Sequence, residues 1–304
     1  MDEKKKKSIF VAKLDMSLAD KLRDGVISQG FELSTPPYTV FAAKKKGVSC
    51  TLYKSGKLVV QGKAMGEFIE YYLEPEILGT FSYTYGALDV DTTARIGVDE
   101  SGKGDFFGPL CVAAVYASDD AVKELYDLGV CDSKNLSDKR ALSLSSKIKK
   151  LCQYHVLAIG PAKYNELYKS FGNLNTLLAW GHATTIEAVV KKTGCNNVIV
   201  DQFAAESVVH NALKRKGLGD IALTQRHRAE EDLVVAAASI LARASYLEGL
   251  KKLGDKYGIE LPKGASSLVI SAGKRFVESH GKDLLSDVSK VHFRTYNDVM
   301  EYEL

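Results

Sequence analysis

The sequence is poor in several features that would place it in a class at once. Its five cysteines (Cys50, Cys111, Cys131, Cys152, Cys195) are odd in number and form no Cys-x-x-Cys. That excludes a disulfide framework and a thiolate zinc site, and it fits a reducing cytosol. Cys111 leads an apolar run and reads as core. No uninterrupted apolar run reaches membrane-spanning length. The start, Met-Asp-Glu followed by four lysines, lacks the hydrophobic core of a secretory signal, so a cytoplasmic protein away from membranes is expected. The six histidines show no His-Glu-x-x-His spacing. The formal net charge of +3 is too small to announce a nucleic-acid partner, although lysine runs at 4–7 and 44–46 concentrate positive charge early in the chain. Apart from those runs there is no repeat or low-complexity tract. What is present, 45% hydrophobic and 26% charged residues over 304 positions, is an ordinary globular composition with material for one large core or two.

The pattern changes along the chain. Ile9, Phe10 and Val11 begin as a strand, and Ser17-Leu18-Ala19-Asp20 caps a helix carrying Leu22, Val26 and Ile27. Strand-like runs follow at 38–43, 49–53 and 58–60, the last two joined by the turn Lys54-Ser55-Gly56-Lys57. A helix is predicted from Met65 to Tyr72, with Pro75 interrupting it. Phe81, Tyr83 and Tyr85 alternate with polar residues as in a short strand, and the domain boundary is placed near residue 90. From residue 95 strands alternate with helices: strands at 95–99, 110–117, 153–159, 196–200 and 221–224, helices at 162–170, 175–192, 205–216 and about 230–253. The stretch from Pro262 reads as mostly helical. The periodicity supports an α/β domain at 91–304 behind a small α+β domain at 1–90.

The densest chemistry lies at 95–109, Arg-Ile-Gly-Val-Asp-Glu-Ser-Gly-Lys-Gly-Asp-Phe-Phe-Gly-Pro. Successive strand residues point to opposite faces, so Asp99 and Glu100 are expected to share a site where the strand ends and bends. Gly102 and Gly104 supply the bend, and carboxylates beside exposed amides suit a divalent cation together with a phosphate. The near-match to a phosphate-binding P-loop fails, because Gly104 stands where Ser or Thr is required. Two further acidic clusters close elements: Asp201 ends the strand Val198-Ile199-Val200, and Arg228-Ala229-Glu230-Glu231-Asp232 opens the long helix. Singly, each reads as a cap or dipole partner. Together with Asp99 and Glu100 they put four carboxylates on one sheet edge, which a cation makes tolerable.

These motifs resemble those of the type 2 ribonucleases H, in the ribonuclease HIII form. The resemblance is carried by Asp-Glu-Ser-Gly-Lys-Gly-Asp at 99–105, Asp201-Gln202-Phe203-Ala204, and Arg228-Ala229-Glu230 before Val-Ala-Ala-Ala-Ser-Ile-Leu-Ala-Arg. The spacing from Glu230 to Ser239 is about one residue shorter than the resemblance suggests, and Asp232 stands as the alternate fourth acid. The stretch Leu52-Tyr53-Lys54-Ser55-Gly56-Lys57-Leu58-Val59-Val60-Gln61-Gly62 resembles one repeat of the TATA-box-binding-protein fold.

The resemblance implies a ribonuclease H-like catalytic domain behind a TATA-box-binding-protein-like domain whose sheet docks nucleic acid through Lys54 and Lys57. It implies Asp99, Glu100, Asp201 and Glu230 as catalytic ligands of Mg2+ or Mn2+, and Ser101, Gly102, Lys103 and Gly104 as contacts to the substrate 2′-hydroxyl and phosphate. The expected partner is an RNA–DNA hybrid, cut by a monomer to 5′-phosphate and 3′-hydroxyl ends in replication and repair. Asp132-Ser133-Lys134, Pro262-Lys263-Gly264 and Val291-His292-Phe293-Arg294-Thr295 resemble further segments near the substrate, with a packing role for His292 equally open. The alternatives are cleavage at single ribonucleotides in DNA, as in ribonuclease HII, and a non-catalytic hybrid-binding protein.

Overall fold

The computed structural model describes residues 9–79 and 91–301, so the strand expected at Phe81, Tyr83 and Tyr85 and the lysine run at 4–7 lie outside the described residues. The chain divides into two compact units, Met1–Val90 with Tyr126–Gly129, and Asp91–Leu125 with Val130–Leu304.

The first unit is an antiparallel sheet of β1 (Ile9–Lys13), β2 (Glu32–Ser34), β3 (Thr39–Lys45), β4 (Val48–Tyr53) and β5 (Lys57–Gln61), in the order β1-β5-β4-β3-β2. One face alternates cleanly: Val48, Cys50 and Leu52 of β4 and Leu58 and Val60 of β5 are buried. They pack with Leu22 and Val26 of α1 (Ala19–Ser28) and with Met65, Phe68, Ile69 and Leu73. On the other face Ile9 and Val11 are exposed. Lys54 and Lys57 flank the β4–β5 turn, where Gly56 N–H donates to the Tyr53 carbonyl. The helix α2 (Met65–Phe68) begins at Met65 as predicted, but the helical path is not broken by Pro75. It continues as a wider, π-type helix through Ile69–Leu78. The missing proline N–H matters less there, because the ladder has shifted to the fifth residue back, as in Gly79 N–H to the Glu74 carbonyl.

The second unit is built on β6 (Arg95–Ser101), β7 (Leu110–Ala117), β8 (Gln153–Ile159), β9 (Asn197–Asp201) and β10 (Ala222–Arg226). The order is β10-β9-β6-β7-β8; β6, β7 and β8 pair antiparallel, whereas β9 runs parallel to β6 and to β10. This is the expected ribonuclease H-like α/β arrangement. The remaining helices are α3 (Asp119–Asp127), α4 (Asp138–Leu151), α5 (Pro161–Phe171), α6 (Leu174–Thr193), α7 (Glu206–Arg215), α8 (Leu233–Tyr257), α9 (Ser267–His280), α10 (Leu285–Val288) and α11 (Arg294–Met300).

Alternation along β6 sends Ile96 and Val98 into the core shared with Ala183, Ile186 and Val189 of α6. Gly97 faces α8 instead: a Cβ there would lie 2.3 Å from the main chain of Val234 and Val235. The first turn of α8 therefore rests backbone to backbone on the strand that carries the acidic pair. By length and composition α8 is apolar enough to cross a membrane, but it is the core helix of this unit, with 67% of its most apolar window buried.

Candidate active site

The strand β6 does not end at the acids, as the alternation rule had suggested. Its ladder with β7 continues through Asp99, Glu100 and Ser101, the last paired with Cys111. The bend comes at Gly102, where φ is +89° and a Cβ would lie 2.2 Å from the Pro109 carbonyl oxygen. Asp99 and Glu100 thus keep their opposite strand faces: Asp99 shares the face of Gly97, which meets α8, and Glu100 is anchored to α6. Asp99 Oδ1 accepts the Glu100 N–H at 2.8 Å, and Ser239 of α8, which lines the same pocket, pairs with Ser133 at 2.8 Å. Glu100 is hydrogen-bonded by His182 of α6 at 2.9 Å through Oε2, and Lys103 reaches its Oε1 at 2.7 Å. Both carboxylates still line one pocket, of about 470 Å³, at the carboxyl end of the sheet.

Asp201, at the end of β9, lines the same pocket, and its Oδ1 accepts the Ala229 N–H at 3.0 Å. That bond holds the single helical turn Ala229–Glu231, entered through Arg228 with φ +56°, a conformation uncommon for a residue with a side chain. The turn precedes α8 rather than forming its first residues, and it separates the three contiguous acids. Glu230 lines the pocket, with Lys134 Nζ 4.0 Å away. Asp232 is spent elsewhere. It caps α8 by accepting the Val234 and Val235 N–H groups, and its other oxygen pairs at 2.8 Å with buried Arg95.

Burial and the neighbouring charge of Glu100 push the Asp99 carboxyl well above its ordinary range. Glu100 is equally buried, but the hydrogen bond and charge of His182, with Lys103, hold it below. Two adjacent carboxylates in one wall are thus compensated unequally, Glu100 by charged partners and Asp99 without one. The donor set is all oxygen, which suits a hard divalent cation, and the raised Asp99 marks where positive charge is wanting. Among the described residues no three such side chains converge on one coordination point. The fit rests on donor chemistry and electrostatics.

The rim of the pocket is basic. Asp138, at the first position of α4, is gripped by Arg243 at 2.7 Å and Lys263 at 2.6 Å. Arg243 also donates to the Ser133 carbonyl.

Residues 96–296 match the family model described as Ribonuclease HII, and residues 9–83 match a Domain of unknown function (DUF3378). The ribonuclease HIII of Protochlamydia amoebophila (strain UWE25) is 56% identical over 291 residues, which span 96% of each chain.

The chain belongs to the ribonuclease HIII family. The ribonuclease HIII of Chlamydia felis (strain Fe/C-56) is 51% identical, covering 96% of this chain and 97% of its own. Among solved structures, Bst-RNase HIII in complex with Mn2+ has a TM-score of 0.65 at 28% identity, over 97% of this chain and 98% of that one. The ribonuclease H2 of Pyrococcus horikoshii OT3 has a TM-score of 0.58 at 26% identity and covers 69% of this chain. The likeness to ribonuclease HIII therefore extends over nearly the whole chain, whereas that to ribonuclease H2 spans about two thirds. As a member of the ribonuclease HIII family the chain is a hydrolytic endoribonuclease.

The residues expected to act fall in both units. Asp99, Glu100, Ser101, Gly102, Lys103, Gly104, Asp201 and Glu230 line one pocket, joined by Ser133, Lys134 and Lys263 from the supporting segments. Lys54 and Lys57 belong to the other unit. The segment around His292 is absent from the pocket lining. His292 instead stacks on Tyr168 at 4.2 Å, the packing role that its sequence had left open. Next to it Lys290, fully buried, donates at 2.8 Å to the carbonyls of Asp105 and Gly108 and so braces the bend from behind. Sequence reading passed over His182 and Lys290, and took Ser239 and Arg243 only as part of the motif in the long helix. The one signal for His182 was an imidazole on the buried face of a helix, and for Lys290 there was only residue type.

Proposed function

We propose that this enzyme cuts the RNA strand of RNA–DNA hybrids, dependent on Mg2+ or Mn2+, and leaves 5′-phosphate and 3′-hydroxyl ends. The observation that carries the reading is the placing of Asp99, Glu100, Asp201 and Glu230 around one pocket beside the Gly102-Lys103-Gly104 bend. Those four carboxylates would hold the cation, Glu230 being preferred to Asp232 because its carboxylate is not committed to a cap and an ion pair. When bound, the divalent cation supplies Lewis-acid activation of water and stabilises charge on the leaving oxygen. The chain's own part is positional. The bend brings backbone and Ser101 to the ribose, where the 2′-hydroxyl distinguishes RNA from DNA, and Lys103 with the rim cations Lys134 and Lys263 faces phosphates. Lys54 and Lys57 dock the duplex on the first unit. The enzyme acts as a cytoplasmic monomer in replication and repair.

The test sets two duplexes side by side in Mg2+ or Mn2+, one with an RNA tract opposite DNA and one with a single ribonucleotide in DNA. Metal-dependent cutting of the tract, with little at the single ribonucleotide, is the expected result. Efficient cutting at the single ribonucleotide would move the assignment to the specificity of ribonuclease HII. Tight binding without cutting would make the protein a hybrid binder. For the docking role, replacing both Lys54 and Lys57 by Ala should raise KM for the hybrid and leave kcat unchanged.

A further inference from the structure

His182 sits in the middle of α6 with no exposed surface, among apolar neighbours that include Leu178, Ala179, Ala183 and Ile186. A polar ring in such a place is costly unless its nitrogens are used. Nε2 is used: it lies 2.9 Å from Glu100 Oε2. A carboxylate oxygen only accepts, so Nε2 carries the proton of that bond. Nδ1 is enclosed without a hydrogen-bond partner. The ring therefore has one polar task, directed at Glu100.

A second contact fixes the ring itself. Phe203, two residues beyond Asp201 in the Asp-Gln-Phe-Ala segment, packs on the imidazole with ring centroids 4.6 Å apart and planes inclined by 50°. The two partners of Glu100 differ in kind. Lys103 is about half exposed on a flexible stem, whereas His182 is held by a helix on one side and an aromatic ring on the other.

We propose that His182 is a positioning residue for Glu100: it pins one carboxylate oxygen so that the other faces the pocket, and Phe203 holds the imidazole to that task. Phe203 thereby links the strand end bearing Asp201 to the one bearing Glu100. The assignment rests on the proposed role of Glu100 as a cation ligand.

The experiment uses the full chain with His182→Leu, which removes the donor, and His182→Gln, whose side-chain amide reaches the position of Nε2. Three quantities are read: Mn2+ affinity by calorimetry without substrate, kcat and KM on a hybrid, and the thermal midpoint. His182→Leu should weaken Mn2+ binding and lower kcat, each by about 10-fold to 100-fold, the range seen when a ligand's supporting partner is lost, with KM within about twofold. His182→Gln should recover most of both, and Phe203→Leu should weaken Mn2+ binding in the same direction; these two carry the test if His182→Leu does not fold. In a Glu100→Gln background, His182→Leu should have no further effect on Mn2+ binding. Wild-type Mn2+ affinity in His182→Leu, or equal losses in the Leu and Gln variants that persist in the Glu100→Gln background, would overturn the proposal. Full activity of Glu100→Gln itself would sink the role of Glu100 instead, a separate outcome.

Discussion

Two regions of the catalytic unit that bury charge meet at the bend at 102–108, and they are treated differently. In front, Asp99 and Glu100 stand side by side in a desolvated wall, with Asp201 and Glu230 lining the same pocket. Behind, Lys290 is sealed with its ammonium on the carbonyls of Asp105 and Gly108 and 5.6 Å from the Tyr164 ring centre. The rear charge is met by two carbonyl dipoles of the fold, which offset part of the cost of burying it. The front is not: hydrogen bonds relieve Glu100, but Asp99 is driven up by burial and by its neighbour. The fold thus leaves an electrostatic deficit at the pocket wall, where a ligand ion is wanted, and gives the buried Lys290 and Arg95 partners from the protein itself.

The sharpest break of this contrast is Asp99→Asn. Loss of a carboxylate worth about 4 kcal/mol in the transition state would lower kcat on the order of a thousandfold, measured on a hybrid. The metal-free protein should at the same time melt higher, because the deficit is relieved. A lower melting point would show that Asp99 serves the fold.

Asp232→Ala should do the reverse. Stranding buried Arg95 and uncapping α8 is expected to cost about 3–5 kcal/mol in urea unfolding. Glu230→Gln should leave stability almost untouched while lowering kcat. Exchange of these two behaviours would transfer the fourth carboxylate to Asp232.

Lys290→Met leaves two carbonyls without donors, a loss of about 2–4 kcal/mol, with Mn2+ affinity unchanged. Its pH dependence carries a sign. Burial lowers Lys290 to about 8, against about 10.4 in an unfolded chain. Between those values the unfolded state binds more protons, so wild-type stability gains as pH rises through that window. The deficit of Lys290→Met is therefore smallest near neutrality and widens from about pH 8 to 10; a flat difference in unfolding free energy would refute the buried-cation account. The smallest effect is that of the ion itself: Mn2+ at a hundred times its Kd should stabilise the wild type by about 2.7 kcal/mol, and Asp99→Asn by clearly less.

What was legible in the sequence was local. The apolar runs of β7 and β9 and the Asp-Glu-Ser-Gly-Lys-Gly-Asp segment declare themselves over a few residues. Decisions made by distant partners did not show. Glu230 and Asp232 are equivalent on paper, and Arg95, 137 residues from Asp232, separates them. His182 lies between helix residues that all point inward, so its pattern is that of core. Pro75 was read by the rule for α-helices, which the wider ladder around it does not obey. Lys290 resembles any surface lysine until the bend and α5 close around it.

The absent side chain at Gly97 has one more consequence. Where strand and helix meet main chain to main chain, no layer of side chains remains to be repacked, and the gap between them is set by the contact radii of the two backbones. The distance from the Asp99 strand to the turn bearing Glu230 is in effect a machined tolerance. A single methyl at position 97 would act as a shim, moving the carboxylates apart without touching any of them.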